Sequence, residues 1–320
     1  MLKRLLLSLC LLSGVAVAAD PAPEGPAFSK PVVGISDAGD LKGIKKVAIA
    51  SFVVQYVVKQ TEEMVIDLEK PLTGDPEFLQ AITEQMYRDF QASVQGAGFE
   101  LVPHDTVVAT KEYRTMQEKS SPSPLLMDGW KMGSKTGAYK SVFLAPKGVI
   151  INLKDDYEEM RKSYSGFSSH IVDETLSFSG RMEQYTTNWK YYDKDLQKAL
   201  DASTLHVRVY VPIAYLWSST SKAGPWTHYN SGAMAAVRLG ERFTRLSVGK
   251  DGDIAKIYLT EPVMTRGITE AKLKSESTNF LGKVTRDVEW EFKPDAYRTL
   301  IPGATQQTLK SFLDKMKESS

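Results

Sequence analysis

The stretch "DGWKMGSKTG", residues 128–137, holds Gly129, four intervening residues, and then Ser134, Lys135 and Thr136. A phosphate loop of the form G-x-x-x-x-G-K-[ST] needs glycine where Ser134 stands, so that backbone N–H groups can close on the phosphates. It must also follow a buried strand and open a helix. "SSPSPLLMD" precedes it here, and its prolines and serines predict a loop. The expectation is a surface turn that binds no nucleotide. Ser247-Val248-Gly249-Lys250 matches Ser-x-x-Lys in letters. That motif needs a helix to bring the lysine one turn from the serine, and these residues fall at a predicted hairpin. No Gly-x-Ser-x-Gly elbow occurs. The four histidines, His104, His170, His206 and His228, show no metal-ligand spacing. His206 falls mid-strand opposite an apolar face, which gives it an exposed or cross-strand place. His170 with Asp173 and Glu174 could make a weak metal site, against the plainer reading of a solvated loop. Asp156, Glu158 and Glu159 read as a charged helix start. "KDGD" at 250–253 lacks the later ligands of a calcium loop and reads as a turn. The residue types therefore predict no catalytic residue, no metal and no cofactor.

Aromatic side chains are the feature that chemistry-free surface does not explain. Trp189, Tyr191 and Tyr192 lie in a polar stretch, and Trp226 and Tyr229 lie in a glycine-bearing loop over 218–232. Such residues are costly to leave in water and are enriched where proteins meet partners. They are the candidate partner-binding residues. The plainer alternative is that they cover the edge of the core from outside.

The first residues give an address. "MLKRLLLSLCLLSGVAVAAD" has a basic start, an apolar run and a small-x-small site at Ala16-Val17-Ala18. That is the pattern of a signal peptide, residues 1–19, cut near Ala18 or Ala19. Cys10 follows Leu9 rather than a small residue, which argues against lipidation. Cleavage removes this single cysteine, so disulfides, thiol nucleophiles and cysteine ligands are not expected. A chain of about three hundred residues can bury a core without them. With 40 basic against 39 acidic residues, nothing electrostatic points to nucleic acid or an anionic membrane surface. The expected place is the periplasm or the exterior, with membrane association no more than peripheral.

The elements follow from periodicity. Residues 20–40 hold four prolines and read as a flexible leader. Residues 41–320 then form one domain, with an irregular insertion around 120–192. "IKKVAIASFVVQYVV" is apolar at nearly every position, which predicts a strand buried on both faces. Asp75-Pro76 opens a helix as cap and first residue, with Leu79, Ile82, Met86, Phe90 and Val94 as its apolar stripe. Asp105 is set to cap a second helix. "TLHVRVYVPIAYLW" predicts one strand over 204–217, at an edge or bulged at Pro212. Asp251-Gly252 between alternating runs predicts a hairpin, and a slip of alternation between Phe243 and Leu246 predicts a bulge. "KVTRDVEWEF" alternates as a half-exposed strand, and Leu309, Phe312, Leu313 and Met316 line a closing helix. The order is α/β: early strand–helix–strand–helix units, a mixed sheet, a C-terminal antiparallel meander and a terminal helix.

"KKVAIASF" with "LQAITEQMYRDFQASVQGAGFELVPHDTV" resembles the start of domains in curli-secretion-channel lipoproteins. It also resembles the penicillin-binding-protein-activator lipoproteins and the N-terminal domain of the translocation protein TolB. "DLQKALDASTLHVRVYVPIAYLW" and "AAVRLGERFTRLSVGKDGDIAKIYL" are similar to their central strand and terminal hairpin. The resemblance covers about half the chain through packing patterns, which speak to fold more than to function. It implies a non-enzymatic envelope protein, a protein-interaction or assembly module that is secretion-channel-like or cell-wall-synthase-activator-like, with an envelope protein partner and an oligomer among its states. The alternatives are a periplasmic binder of a small ligand or glycan, and more distantly a hydrolase.

Overall fold

The computed structural model describes residues 27–61, 65–120, 122–129, 139–151, 189–212, 215–223, 226–234, 237–241, 243–278 and 284–320. The long apolar run has no face fit for water, and the chain places it at the centre of a sheet as β2 (Lys46–Thr61). Along one side of β2 lies β7 (Ser203–Val211), parallel, from Val47 opposite Ser203 to Tyr56 opposite Val211. Beyond β7 come β11 (Arg245–Lys250), β12 (Asp253–Leu259) and the edge strand β1 (Val33–Ser36), all antiparallel to their neighbours. The other side of β2 takes β6 (Tyr139–Leu144) and then β5 (Leu125–Gly129), again antiparallel. Short β4 (Glu100–Leu101) runs parallel to the start of β2, and β3 (Val65–Asp67) folds back on its end. The result is a mixed nine-stranded sheet, seven strands in the order β1-β12-β11-β7-β2-β6-β5 with β3 and β4 paired to β2 beside them.

Helices cover both faces. On one lie α2 (Pro76–Gly96) and the terminal α6 (Pro294–Ser319), packed over Val47, Ile49, Phe52, Val54 and Tyr56 of β2. On the other lie α3 (His104–Ala109), α4 (Lys111–Lys119) and α5 (Trp189–Leu200), packed over Ala48 and Ala50. Short α1 (Glu69–Thr73) leads from β3 to α2. The register of β2 against β7 shifts between Ile49 and Ser51. This bulge gives β2 one extra residue, so that Val47 and Ile49 before it and Phe52, Val54 and Tyr56 after it share the α2–α6 side. The Asp75 carboxylate accepts from the Glu77 N–H at 3.0 Å and caps α2, and Leu79, Ile82, Met86, Phe90 and Val94 are all buried. Asp251 and Gly252, at φ 53° and 91°, make the tight β11–β12 turn that their side chains predict. The α/β class, the mixed sheet, the antiparallel strands and the closing helix all appear as expected.

Other expectations are corrected. Residues 33–36 belong to the sheet edge as β1 rather than to a flexible leader, and Phe28 bridges to Thr265; residues 20–26 lie outside the described residues. Asp105 caps nothing. Helix α3 begins after Pro103, and the Thr110 hydroxyl caps α4 by accepting from the Tyr113 N–H at 3.2 Å. The 204–217 strand divides, because Pro212 offers no N–H to a ladder that is central, not an edge. Beyond it, β8 (Tyr215–Ala223) pairs with β9 (Trp226–Met234), where a loop over 218–232 was expected. β10 (Arg238–Leu239) pairs with β13 (Val263–Met264). The slip of alternation at 243–246 is a turn, closed by the Thr244 N–H on the Gly240 carbonyl at 3.2 Å, and β11 starts only at Arg245. β14 (Thr269–Thr278) pairs with β15 (Val284–Phe292). Part of the expected 120–192 insertion is regular: Leu125–Gly129 is a sheet strand where a loop was expected, and Tyr139–Leu144 is a strand as the apolar pattern of "YKSVFLAPKGVIINL" predicts. The charged helix start at Asp156, Glu158 and Glu159 and the rest of the stretch up to residue 188 lie outside the described residues.

Phe312 is fully buried between α6 and the sheet. Phe312→Ala is expected to cost about 3–5 kcal/mol in urea unfolding. Lys310→Ala, on the exposed side of the same helix, should leave the midpoint unchanged.

Candidate functional site

On the α5 side of the sheet, β7 presents Thr204, His206 and Arg208, which alternate with Leu205, Val207 and Val209 and are all buried. A polar side chain buried on a central strand must find a partner. Asp193 and Gln197, one turn apart on α5, supply it. The Asp193 carboxylate takes His206 Nε2 at 2.8 Å on one oxygen. Its other oxygen accepts from the Thr204 hydroxyl at 2.6 Å and the Gln197 amide at 2.8 Å. His206 Nδ1 meets the Ser51 hydroxyl at 2.9 Å, across the β2–β7 pair. The acceptor-only carboxylate assigns a proton to Nε2, and the hydroxyl can serve either state of Nδ1. Gln197 also accepts from the Gly252 N–H at 3.3 Å, which ties in the β11–β12 turn.

The carboxylate reaches this place only because residue 249 is glycine. A Cβ there would lie 2.3 Å from Asp193 Oδ2, 2.4 Å from Thr204 Oγ1 and 2.6 Å from Gln197 Nε2. Burial alone would raise the Asp193 carboxyl. The His206 charge and the bonds from His206, Thr204 and Gln197 outweigh it and hold the group below the ordinary carboxylate range.

Ser51, His206 and Asp193 share the residue types of a nucleophilic triad, but not its access. The attacking oxygen must reach a substrate carbonyl, and Ser51 is 1% exposed in the middle of β2. The network holds the fold together; it presents no nucleophile. Along the same face, buried Arg208 donates to Gln55 and stacks over Phe143 and Phe243, at 5.8 and 5.6 Å from their ring centroids. Burial, then the charge of Arg245, pushes its pKa well below the usual guanidinium value. His104 sits edge-on between Tyr87 and Tyr113, and burial lowers its pKa.

The aromatic residues singled out in the sequence divide between two places. Trp189, Tyr191 and Tyr192 open α5 instead of lying in irregular chain. Tyr192 is half-buried, 6.0 Å below the Lys119 ammonium, and packs against the α3–α5 core. Trp226 and Tyr229 fall on β9, opposite Ala223 and Thr220 of β8. Ser134, Lys135 and Thr136 lie outside the described residues, and Gly129 ends β5, a strand where a loop was expected. Ser247 and Lys250 are on β11, a strand and not a helix. His170, Asp173, Glu174, Asp156, Glu158 and Glu159 lie outside the described residues. Among the described residues no three His, Cys, Asp or Glu side chains gather to hold a metal ion, and no helix is long and apolar enough to cross a membrane.

Asp193, Gln197 and Thr204 are not singled out by the sequence, and of the two places expected for His206 the exposed one is wrong: it is buried and bonds across the strand pair to Ser51. A signal existed. Thr204, His206 and Arg208 alternate with Leu205, Val207 and Val209, and the central place of the strand in the sheet turns that polar row into a buried one.

Comparison with known protein families, curated proteins and solved structures finds no match for this chain.

Gly249→Ala should unfold or strongly destabilise the protein, since the atoms it meets are the buried network itself. Asp193→Asn is expected to cost about 3–5 kcal/mol at neutral pH. Its pH dependence has a definite sign. The folded carboxyl has the lower pKa, so unfolding takes up a proton. The stabilisation is complete above the unfolded carboxyl pKa of about 4 and fades as pH falls through the lowered folded value. Denaturant unfolding of both proteins from pH 7 downward should show the gap between them closing at the acid end.

Proposed function

We propose that this chain is an exported assembly module of the cell envelope that binds a protein partner through strand edges. One observation carries the reading: β8–β9 and β14–β15 each form a two-stranded sheet of their own. Neither joins the nine-stranded sheet, and among the described residues the only partner strand of each is its own mate. An isolated two-stranded ribbon is marginal in water. Its outer edges carry a row of backbone donors and acceptors that another strand can complete.

The aromatic positions support the same surface. Register puts Trp217 opposite Gly232 and Trp226 opposite Ala223, so positions 217 and 226 fall on one face of the β8–β9 ribbon and 229 on the other. Tryptophan positions opposite glycine and alanine positions, on a ribbon that pairs with no other strand among the described residues, suit recognition. The secretory start of the sequence and its resemblance to envelope assembly proteins agree with this place and role.

The signal-peptide reading expects a mature protein that begins at Ala19 or Asp20 in the soluble envelope fraction. N-terminal sequencing of fractionated cells checks it, and a lipid-modified Cys10 would refute it. For the binding surface, Trp226→Ala should keep the thermal midpoint of wild type and lose the partner that wild type retains after cross-linking in intact envelopes. A loss of roughly 3–5 kcal/mol in stability would instead make Trp226 a folding residue and remove the support for this surface.

A further inference from the structure

A cleft of about 380 Å³ opens beside the C-terminal end of α5 and the β11–β12 turn. Lys45 and Lys46 line it from the start of β2, Lys194 and Lys198 from α5, and Lys250 from the end of β11. Asp201 and Asp251 are the acidic residues of its lining. Five lysines against two aspartates leave a charge of +3 in one concavity, on a chain whose net charge is only +1.

Self-neutralisation does not explain this charge. Lys46 donates to the Leu200 carbonyl at 3.0 Å, and Lys250 to the Lys42 carbonyl. Lys45, Lys194 and Lys198 are exposed, and their ammonium groups make no hydrogen bond or ion pair among the described residues. The two aspartates pair with none of them. The Lys46 contact has a further effect: it covers a carbonyl at the negative end of α5, which would otherwise repel an anion.

The positions of the lysines are set from below. Asp193 and Gln197 are locked into the buried network, and Lys194 and Lys198 are the next residue after each. Fixing the inner pair therefore fixes the rotation of the helix that carries the outer pair. The turn is held by the Gly252 N–H on Gln197. Gly252 has φ 91°, and a Cβ there would lie 3.1 Å from Lys194 Cδ, so the bare backbone of the turn makes room for the lysine stem.

From this arrangement we propose that the cleft binds a phosphate-bearing ligand with more than one negative charge. Its volume lies within the range of small-molecule sites and is too small for a nucleic-acid track. The lining holds no arginine, the residue that matches planar carboxylates two bonds at a time. Ammonium groups arriving from three elements act as point charges around a tetrahedral oxyanion. Such a group could be carried by a soluble phosphate compound or by an anionic lipid headgroup.

The test uses the purified chain at low salt, with pyrophosphate followed by titration calorimetry and with phosphatidylglycerol and phosphatidylcholine vesicles followed by cosedimentation. Lys45→Gln/Lys194→Gln/Lys198→Gln alters exposed side chains only and should melt as wild type does. Saturable pyrophosphate binding, weakened at least about tenfold in this variant, supports the site with a soluble ligand. Binding confined to phosphatidylglycerol vesicles, and lost in the same variant, supports it with a lipid source. Lys310→Gln/Lys315→Gln removes two charges on α6 that are paired with Asp314 and Glu318, and should bind as wild type does. The proposal is overturned by no binding of either probe, by unchanged binding in the triple variant, by an equal loss in the α6 variant, or by citrate binding as tightly as pyrophosphate.

Discussion

A carboxylate removed from water must be surrounded, and the surroundings of Asp193 draw four parts of the chain to one point. The cost of burying an unpaired charge is several kcal/mol even after relaxation. Here α5 brings the charge, β7 brings His206 and Thr204, β2 brings Ser51 behind the imidazole, and β11 gives way at Gly249. None of these contacts can form alone. The parallel pairing of β2 with β7 puts Ser51 beside His206, and only a helix laid across both strands can reach them. The network therefore selects one position of α5 on the sheet, where apolar packing over Ala48 and Ala50 would tolerate sliding.

The opposite face works by shape instead of charge. Phe52, Phe90 and Tyr87 meet ring to ring, and Tyr297 of α6 contacts Tyr56, Phe78 and Phe292. Even here one polar group is satisfied locally, because the buried Tyr56 hydroxyl pairs with Thr83 at 2.9 Å. The two layers thus divide the work. Large apolar side chains under α2 and α6 supply bulk burial, and the polar set under α5 supplies alignment.

What could be read in the sequence was what neighbouring residues decide among themselves. The doubly buried β2, the Asp75–Pro76 start of α2, the Asp251–Gly252 turn and the inner stripe of α6 all rest on local rules of period, cap and turn. The Asp193–His206 pair does not. Asp193 in isolation looks like one more charge on a polar helix, and His206 like an outward residue of a strand. Each acquires its role from a partner that only tertiary packing supplies. The edge strand β1 was missed for a similar reason: a short segment among prolines has little periodicity, and pairing with β12 decides its conformation. Pro212 predicts an edge strand or a bulge, but β7 is central and ends at Val211, because a proline offers no N–H to a central ladder.

That ending has a consequence for how such a protein can change. Strand β7 ends before Pro212 and the next strand of the sheet is β11, from Arg245; between them the Arg238 N–H bonds the Pro212 carbonyl at 3.3 Å. The β14–β15 ribbon is stitched at its base in the same manner, by the Lys293 N–H on the Ile268 carbonyl at 2.8 Å. Each ribbon is a cassette whose two ends are already clasped. Its length, sequence or even presence can vary through insertion and deletion without moving the register of a single strand in the sheet. A lineage carrying this scaffold is free to swap what it displays while inheriting the frame unaltered.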